Sequence, residues 1–585
     1  MLYSADFETT TDPEDCRVWA WGSILVGMDK GMEYGNTLDS FMAYIENEHI
    51  GDTFYFHNIK FDGEFIINWL FRHGFTWQKE RKHMQPKQFT TLISDKGQFY
   101  SMEICFGRTG RKLETVKLLD SLKVLPFSVD QIAKAFKLPM QKLTIDYTEE
   151  RKPGHDLTME EIAYLKNDIT IVSLSLQTLF DENLTRMTQG SNALADYKEI
   201  IGKKQFQHWF PIPDAVCDKE IRASYKGGFT FANPKFKGQT VGEGIVLDVN
   251  SLYPSVMYFS DLPYGEGIRF DGEYTPDEMY PLYIIQFTCM FELRDGYLPT
   301  VQGRNVGWGG MATEYIERCD TVETLCMTCV DFELFKEHYE IYDLEFHFGW
   351  KFRSSDQMFR PYIDKWYEIK TKATLEGNHP MRTLAKLMLN ALYGKFALNP
   401  HVQSKKPVFE DDRVKYKLLE SETRDPIYIP VGTFITAWAR NKTIRSAQAV
   451  YDRFLYADTD SLHLLGLEEP KGIEVDETKL GAWKHESTFR RAKFLRAKSY
   501  IEDTYVPRWK EGEEPIAHHY TPLPTVGKEV GTVLKITCAG MPDKCYPGVT
   551  FENFEVDAEY TGKLKPAHVP GGIVLESTPF KIRKA

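Results

Sequence analysis

The sequence predicts a multidomain α+β fold, on three observations. The chain has 585 residues, room for about three or four domains of roughly 150 residues each. Apolar residues make up 42%, the ordinary value for chains with large buried cores. Strand-like runs and helical periods alternate along the chain, interrupted by two stretches that read as inserts, 261–350 and 397–430.

Each element has a local reason. A short strand opens the chain at Leu2–Phe7. A second strand precedes a helix at Phe61–Leu70, where Phe61, Phe65, Ile66 and Trp69 recur at helical spacing. A longer helix is expected across Thr158–Phe180, with Thr158 and Glu161 spaced as a capping box. Residues 191–250 read as a connector, and 245–260 as a core strand running into a Pro-bounded turn. The stretch 261–350 is rich in Gly, Tyr and β-branched residues, so strands are expected there. Helices are expected at Tyr362–Ala373, Met381–Phe396 and Ala437–Phe454, the last feeding a hairpin around Ala457–Asp460. Residues 484–585 have the mixed character of a small terminal domain.

Composition excludes several classes. No run approaches the roughly 18 apolar residues of a membrane span, and MLYSADFETT lacks the pattern of a secretory signal. Nine scattered Cys fit a reducing compartment. Cys326 and Cys329 form one C-x-x-C, with Cys319 upstream, but zinc would need His338 as fourth ligand, and thiols within a strand-rich segment are the expected reading. The net charge of −13 argues at face value against nucleic acid. The charge is uneven, however: residues 484–500 hold six Lys or Arg against one Glu, interleaved with Phe489, Phe494 and Tyr500. That mixture suits phosphate contact and base stacking.

Two sets of carboxylates carry the chemistry. In the first, Asp6 and Glu8 are two apart on a strand and share one face. Their repulsion needs a divalent cation to offset it. Asp62 opens the next helix, and Tyr164 and Asp168 lie four apart on another. These oxygens suit two Mg²⁺ or Mn²⁺ that hydrolyse a phosphodiester, with Tyr164 orienting the attacking water.

In the second set, Asp248 ends an apolar strand in Leu247-Asp248-Val249-Asn250-Ser251-Leu252-Tyr253-Pro254, and Tyr456-Ala457-Asp458-Thr459-Asp460-Ser461 follows far downstream. Asp248 and Asp460 are the main candidates to bridge two metals, with Asp458 and the Val249 carbonyl beside them, as nucleotidyl transfer requires. Between them Lys386, Asn390 and Tyr393 recur at intervals of four and three on a predicted helix. Lys386 suits a triphosphate, Tyr393 a base pair, and Lys370 and Arg382 further phosphate contacts. Tyr253 is expected beneath the nucleotide sugar, where its ring would exclude a 2′-hydroxyl and so favour dNTPs.

The first set, in this order, resembles the three motifs of RNase H-like 3′–5′ proofreading exonucleases. By that resemblance Tyr55, His57, Asn58, Phe61, Phe65, Ser121 and Leu122 would cradle a frayed primer end, and Lys142 would assist hydrolysis. The whole chain resembles a family B DNA polymerase, specifically the protein-primed type of small tailed phages infecting Bacillus and relatives. The motifs that carry this are Asp248-x-x-Ser-Leu-Tyr-Pro, Lys386-x-x-x-Asn390-x-x-Tyr393-Gly394, Tyr456-x-Asp458-Thr459-Asp460 and Lys498-Ser499-Tyr500.

The resemblance implies an exonuclease domain followed by a right-hand polymerase with palm, fingers and thumb. It divides the chain into exonuclease (1–190), linker and first palm segment (191–260), a priming-protein insertion (261–352), palm and fingers (353–396), a strand-displacement and processivity insertion (397–427), palm (428–530) and thumb (531–585). It gives Tyr225, Gly227 and Gly228 a linker role, Thr436 and Arg440 a primer-template contact, and Lys498 and Tyr500 the primer terminus. The implied partners are primer-template DNA, single-stranded DNA, dNTPs and a terminal protein whose hydroxyl receives the first nucleotide. A monomer in the cytoplasm of an infected bacterium is implied, with no membrane partner. Departures from the family pattern are Ala391 in place of Ser, Ala457, Thr144 and a longer stretch at about 507–550. A nucleic-acid-primed family B polymerase is the alternative. A standalone nuclease leaves Asp248, Lys386 and Asp460 unexplained, and complete carboxylate sets argue against a silent DNA scaffold.

Overall fold

A computed structural model of the chain describes residues 1–147, 149–303, 314–507 and 530–584. The N-terminal domain comprises β1 (Leu2–Thr9), β2 (Val18–Leu25), β3 (Glu33–Gly35), α1 (Leu38–Glu48), β4 (Thr53–Phe56), α2 (Ile59–Arg72), β5 (Thr76–Trp77), β6 (Gln88–Ile93), β7 (Phe99–Thr109), β8 (Lys112–Asp120), α3 (Val129–Ala135) and α4 (Met159–Asp181). Its eight strands form one sheet in the order β3-β2-β1-β4-β8-β7-β6-β5. Strand β1 runs parallel to β4 and antiparallel to β2. Ala5 and Phe7 join the core of Phe41, Phe56 and Phe65 under α1 and α2. Period two therefore turns Asp6 and Glu8 to the other side. The expected capping box is formed: Thr158 and Glu161 bond each other's backbone N–H groups and fix the start of α4.

The expected connector is instead helical, with α5 (Gln189–Ile201), α6 (Lys203–Trp209) and α7 (Ala215–Arg222). These helices are held from outside: Tyr197 and Phe210 stack on Phe359, and Phe206 and Phe210 meet Phe396. Short strands β9 (Thr230–Ala232) and β10 (Thr240–Val241) precede β11 (Gly244–Val249) and α8 (Leu252–Phe259). The expected Pro-bounded turn is thus a helix. Ser251 turns the chain with φ 57°, and Pro254 lies in the first turn, where its missing N–H costs nothing.

The first insert has β12 (Leu262–Asp271), β13 (Leu282–Leu293), β14 (Arg318–Thr328), α9 (Cys329–His338) and β15 (Tyr339–Ser355). Its sheet runs β12-β15-β13-β14 over a core of Phe287, Phe291, Phe335 and Tyr339. His338 turns Nδ1 to the Leu298 carbonyl at 2.6 Å.

Next come α10 (Arg360–Leu375), α11 (His379–Ala391) and α12 (Tyr393–Phe396), so the helix expected over Met381–Phe396 breaks at Leu392. The second insert carries β16 (His401–Val402), β17 (Lys405–Glu410), β18 (Arg413–Leu418) and β19 (Glu422–Thr423). Helix α13 (Ile429–Ala449) starts earlier and ends sooner than expected. Its first nine residues, Ile429–Ala437, are buried on every side, so no apolar stripe marks its start in the sequence.

The remaining strands are β20 (Phe454–Asp458), β21 (Ser461–Leu465), β22 (Trp483–Arg496), β23 (Ser499–Pro507), β24 (Val530–Cys538), β25 (Glu559–Val569) and β26 (Gly572–Lys581). The central sheet runs β24-β23-β22-β11-β21-β20-β9, with β10 also on β22. Most of β24 falls in the range expected for the thumb, yet it completes the palm-side sheet by pairing with β23. The C-terminal unit proper has its own core of Cys545, Phe551 and Phe554 and projects the β25–β26 hairpin. That hairpin returns to the N-terminal domain, where Val569, Ile573 and Val574 join its core beside Val414 of the second insert. The extension at 507–550, including Tyr520–Pro524, lies in large part outside the described residues. Among the described residues no helix is long and apolar enough to cross a membrane.

Candidate active sites

The first site is a cavity of about 610 Å³ lined by Asp6, Glu8, His57, Asn58, Phe61, Asp62, Lys142, Tyr147, Tyr164 and Asp168. Strand β1, helices α2 and α4 and the loop after α3 each contribute, which is why no single stretch reveals it. The carboxylates crowd each other in a dry setting. Burial, then Asp168, raises the Asp6 pKa to about 7. Burial, then Asp6, raises Glu8 and Asp62 well above the carboxylate range.

Two groups moderate that charge. Lys142 places Nζ 2.8 Å from Asp168 Oδ2. Burial opposes the charge on Lys142, but Asp168 outweighs it and the ammonium is held. Tyr147 donates to Glu8 Oε2 at 3.1 Å and lies 3.1 Å from the Tyr164 hydroxyl. Sequence reading passed over Tyr147 because it sits in an irregular loop with no spacing to its partners. Lys544, Leu564, Val574 and Leu575 of the C-terminal unit close the cavity, also unforeseen.

Three expected primer contacts are relocated. Phe65 is fully buried and packs in the core, with its ring against Gly572. Tyr55 is buried beside Phe180. Ser121 is buried and shares its hydroxyl between His57 Nδ1 and the Phe56 carbonyl. It therefore orients His57, whose Nε2 donates to the Phe127 carbonyl at 2.7 Å. Asn58 lines the cavity in a left-handed conformation, its N–H bonded to Asp120. Leu122 remains half-buried, with its N–H also on Asp120.

The second site is a cavity of about 420 Å³ lined by Asp248, Asp458, Thr459, Asp460, Glu486, Lys498 and Tyr500 among others. Asp248 on β11 faces Ser461 on β21 and Lys484 on β22 across the ladder. The Val249 N–H donates to the Asp460 carbonyl at 2.8 Å, so the two motifs are stitched together. Burial, then Asp460, raises the Asp248 pKa to about 6. Burial also raises Asp460, with Asp458 adding. Asp458 is placed differently: it accepts from Thr230 at 3.0 Å and from Lys498 Nζ at 2.8 and 3.0 Å. Lys484 Nζ lies 3.7 Å from Asp248, a contact visible only once β22 is paired.

The turn between Asp458 and Asp460 is strained and braced. Thr459 has φ 60°, unusual for a β-branched residue. Its N–H donates to the Phe229 carbonyl at 2.7 Å, and its carbonyl accepts from Thr443 at 2.6 Å. A Cβ on Gly228 would fall 2.5 Å from Thr459 Oγ1, so only glycine lets Tyr225–Gly228 approach so closely.

Above this floor the Tyr253 and Tyr393 rings stack at 3.9 Å. Lys386 and Asn390 are exposed on α11. Burial, then the neighbouring cations Lys386, Lys484 and Arg382, lowers the Lys370 pKa to about 8, so four cations lie close together here.

Thr436 and Arg440, expected to contact primer-template, are instead both buried and bonded within the protein. Arg440 donates to Asp331 of the first insert at 2.7 and 3.2 Å and to the Lys226 and Gly227 carbonyls at 2.8 Å. Thr436 bonds its own helix. Burial pushes Asp331 up, yet Arg440 and Lys226 outweigh it and hold its carboxyl below the usual range. Arg440→Ala strands that buried carboxylate, so urea denaturation should show a loss of about 3–5 kcal/mol.

Carboxylates predominate in both cavities, the donor set of Mg²⁺ or Mn²⁺ rather than zinc, and the histidines there, His57 and His463, turn ring nitrogens to Phe127 and Glu502. Asp168 Oδ1 is buried and unpartnered, as a ligand oxygen would be. Among the described residues no three donors converge to hold an ion alone.

Residues 46–479 match the family described as DNA polymerase type B, organellar and viral. The chain is 48% identical to the DNA polymerase of Bacillus phage Nf over 589 residues, covering 100% of this chain and 99% of the relative. It is 48% identical to that of Bacillus phage phi29, with the same coverage. The DNA polymerase of Streptococcus phage Cp-1 is 30% identical, covering 100% and 98%. The solved phi29 DNA polymerase complexed with primer-template DNA and incoming nucleotide substrates aligns with a TM-score of 0.90 at 46% identity, covering 100% of both chains.

Proposed function

The chain belongs to the type B DNA polymerases of organelles and viruses, and from that premise we propose that it starts DNA on a protein hydroxyl, displaces the non-template strand as it extends, and edits at the separate N-terminal site. It is an enzyme of DNA replication with a right-hand polymerase fold behind an exonuclease domain. The observation that carries the synthetic reading is Asp248 at the end of β11 meeting Asp458 and Asp460 of the β20–β21 turn in one cavity, beside a cation cluster and stacked tyrosines.

In this reading Asp248, Asp460, the Val249 carbonyl and Asp458 would hold two Mg²⁺ or Mn²⁺ at the synthetic site, and Asp6, Glu8, Asp62 and Asp168 two at the editing site. Bound there, such ions activate an attacking oxygen and stabilise a leaving one. The protein's own groups do the rest. Lys370, Lys386, Lys484 and Arg382 neutralise the triphosphate, and Asn390 adds an amide contact. Tyr253 and Tyr393 form a floor beneath the nucleotide that leaves no room for a 2′-hydroxyl. Lys498, clamped to Asp458, and Tyr500 steady the primer terminus. At the editing site Lys142 holds Asp168, while Tyr164 and Tyr147 orient the attacking water. His57, Asn58, Phe61 and Leu122 line the path of the frayed end.

The domain assignment follows: editing in 1–190, priming-protein docking on 261–352, and processivity through 397–427. The polymerase acts as a monomer on primer-template and single-stranded DNA in the host cytoplasm. Labelled dATP, Mg²⁺ and a cognate terminal protein without any DNA primer test the priming step. Covalent label on that protein is expected. Extension of a DNA primer with no such label would instead favour nucleic-acid priming.

A further inference from the structure

Two hairpins of the central sheet meet at the synthetic cavity, and one buried pair ties them together. The β20–β21 hairpin carries Asp458 and Asp460 at its turn. The β22–β23 hairpin carries Lys498 at its turn and Tyr500 just after it. In the sheet β21 and β23 are not neighbours, because β11 and β22 lie between them. At the usual strand spacing, three places across a flat sheet are about 14 Å. Yet His463 Nδ1 on β21 lies 2.5 Å from Glu502 Oε1 on β23. Two side chains cover part of that span, and curling of the sheet covers the rest. The rings on the concave face show the curl: Tyr456 on β20 meets Phe494 on β22 at 5.3 Å and Tyr500 on β23 at 4.9 Å.

The pair sits inside that curl. Its side chains are 1% and 0% exposed. The His463 ring meets Tyr456, Tyr500 and Phe494 edge-on at 5.2, 5.0 and 5.4 Å. Glu502 stands two residues after Tyr500 and so shares its face of β23. From these rings the packing reaches the reacting groups. The Tyr456 hydroxyl accepts from the Lys498 N–H at 2.8 Å. Lys498 itself is held at φ 55° and turns Nζ to Asp458. Neither member of the pair has a substitute partner: His463 Nε2 and Glu502 Oε2 are buried and unpaired among the described residues. A buried polar group that loses its one partner is costly, so the bond favours the curled arrangement over any looser one.

We propose that His463 and Glu502 form a cross-brace that fixes the spacing between the carboxylate hairpin and the Lys498–Tyr500 hairpin, and so sets how well a primer end is held for extension. The inference rests on the polymerase reading of the synthetic site. Both are positioning residues, because they act through Tyr456, Tyr500 and Lys498. A loosened brace lets Lys498 and Tyr500 shift against Asp458. The cations for the triphosphate stand on α10 and α11, outside the braced hairpins, and stay in place. The signature is therefore slower turnover without weaker nucleotide binding, and a primer end that passes more readily to the editing site.

The test compares the full chain with its Glu502→Ala, Glu502→Gln, His463→Phe and His463→Phe/Glu502→Leu variants. Digestion of a single-stranded oligonucleotide should stay at the parent rate in all four. On a primer-template, the dNTP concentration at which extension balances digestion should rise about tenfold in Glu502→Ala and in His463→Phe, which keeps a ring but loses the bond. With editing silenced by Asp6→Ala/Glu8→Ala, their single-turnover rate at saturating dNTP should fall by a similar factor, and the half-saturating dNTP concentration should not move. Glu502→Gln keeps an acceptor oxygen for Nδ1 and should stay within about twofold of the parent. The double variant strands no buried polar group, so its melting temperature should return toward the parent's while extension stays slow. Recovery of extension together with melting temperature would overturn the brace, because stability alone would then account for the loss. So would parent-like extension in Glu502→Ala, or a proportional loss of digestion. Absence of nucleotide addition in the parent itself would instead sink the polymerase reading.

Discussion

Asp460→Ala should abolish nucleotide addition, by at least about 10³-fold in single-turnover extension, while 3′–5′ digestion continues at the parent rate. The size of the effect follows from position. Burial raises both Asp460 and Asp248, Asp460 adds to the shift of Asp248, and neither is engaged by a lysine as closely as Asp458 is. They are thus the oxygens left to meet cations. Asp458 is tied to Lys498 and Thr230, so Asp458→Ala should also stop synthesis while disturbing the primer terminus. Circular dichroism should remain that of the parent in both variants, since the Thr459 backbone is braced by the Phe229 carbonyl and the Thr443 hydroxyl.

The reciprocal variant, Asp6→Ala with Glu8→Ala, should abolish 3′–5′ digestion to a similar degree and leave primer extension intact. Both side chains project from one face of β1 into the first cavity, where burial and mutual repulsion raise their pKa values. Removing them relieves that repulsion, so thermal stability without metal should hold or rise. A milder companion is Tyr147→Phe, which deletes the hydroxyl that donates to Glu8. Digestion should slow by about tenfold to a hundredfold with synthesis unchanged, the range for losing one oriented hydrogen bond at a reacting centre.

Much of this was legible in the sequence where chemistry and spacing coincide. Asp6-x-Glu8 is read correctly because a strand fixes both carboxylates on one side, and Thr158 with Glu161 because a capping box is local. The second set was legible from Asp248 and the Asp458–Asp460 turn together. What escaped depends on long-range packing. Lys484 becomes a neighbour of Asp248 only through the β11–β22 ladder. Phe65 and Phe61 have the same helical spacing signature, yet the C-terminal hairpin buries one and leaves the other lining the cavity. Arg440 reads as a primer-template contact until Asp331, more than a hundred residues away, claims it. The α5–α7 segment reads as a connector although Ala193 and Tyr197 stand at helical spacing, because the partners that pack on it lie elsewhere in the chain. The net charge of −13 concealed the cations beside Asp248, since charge matters by location rather than by sum.

Two separate phosphodiester chemistries on one chain make a sharp prediction. One gel tests it most directly: a 5′-labelled primer-template with Mg²⁺, with and without dNTPs, for the parent, Asp460→Ala and the Asp6→Ala/Glu8→Ala double variant. The parent should lengthen the primer with dNTPs and shorten it without them. Asp460→Ala should only shorten it, and the double variant should only lengthen it. Loss of both activities in either variant, with its fold intact, would contradict the two-site assignment.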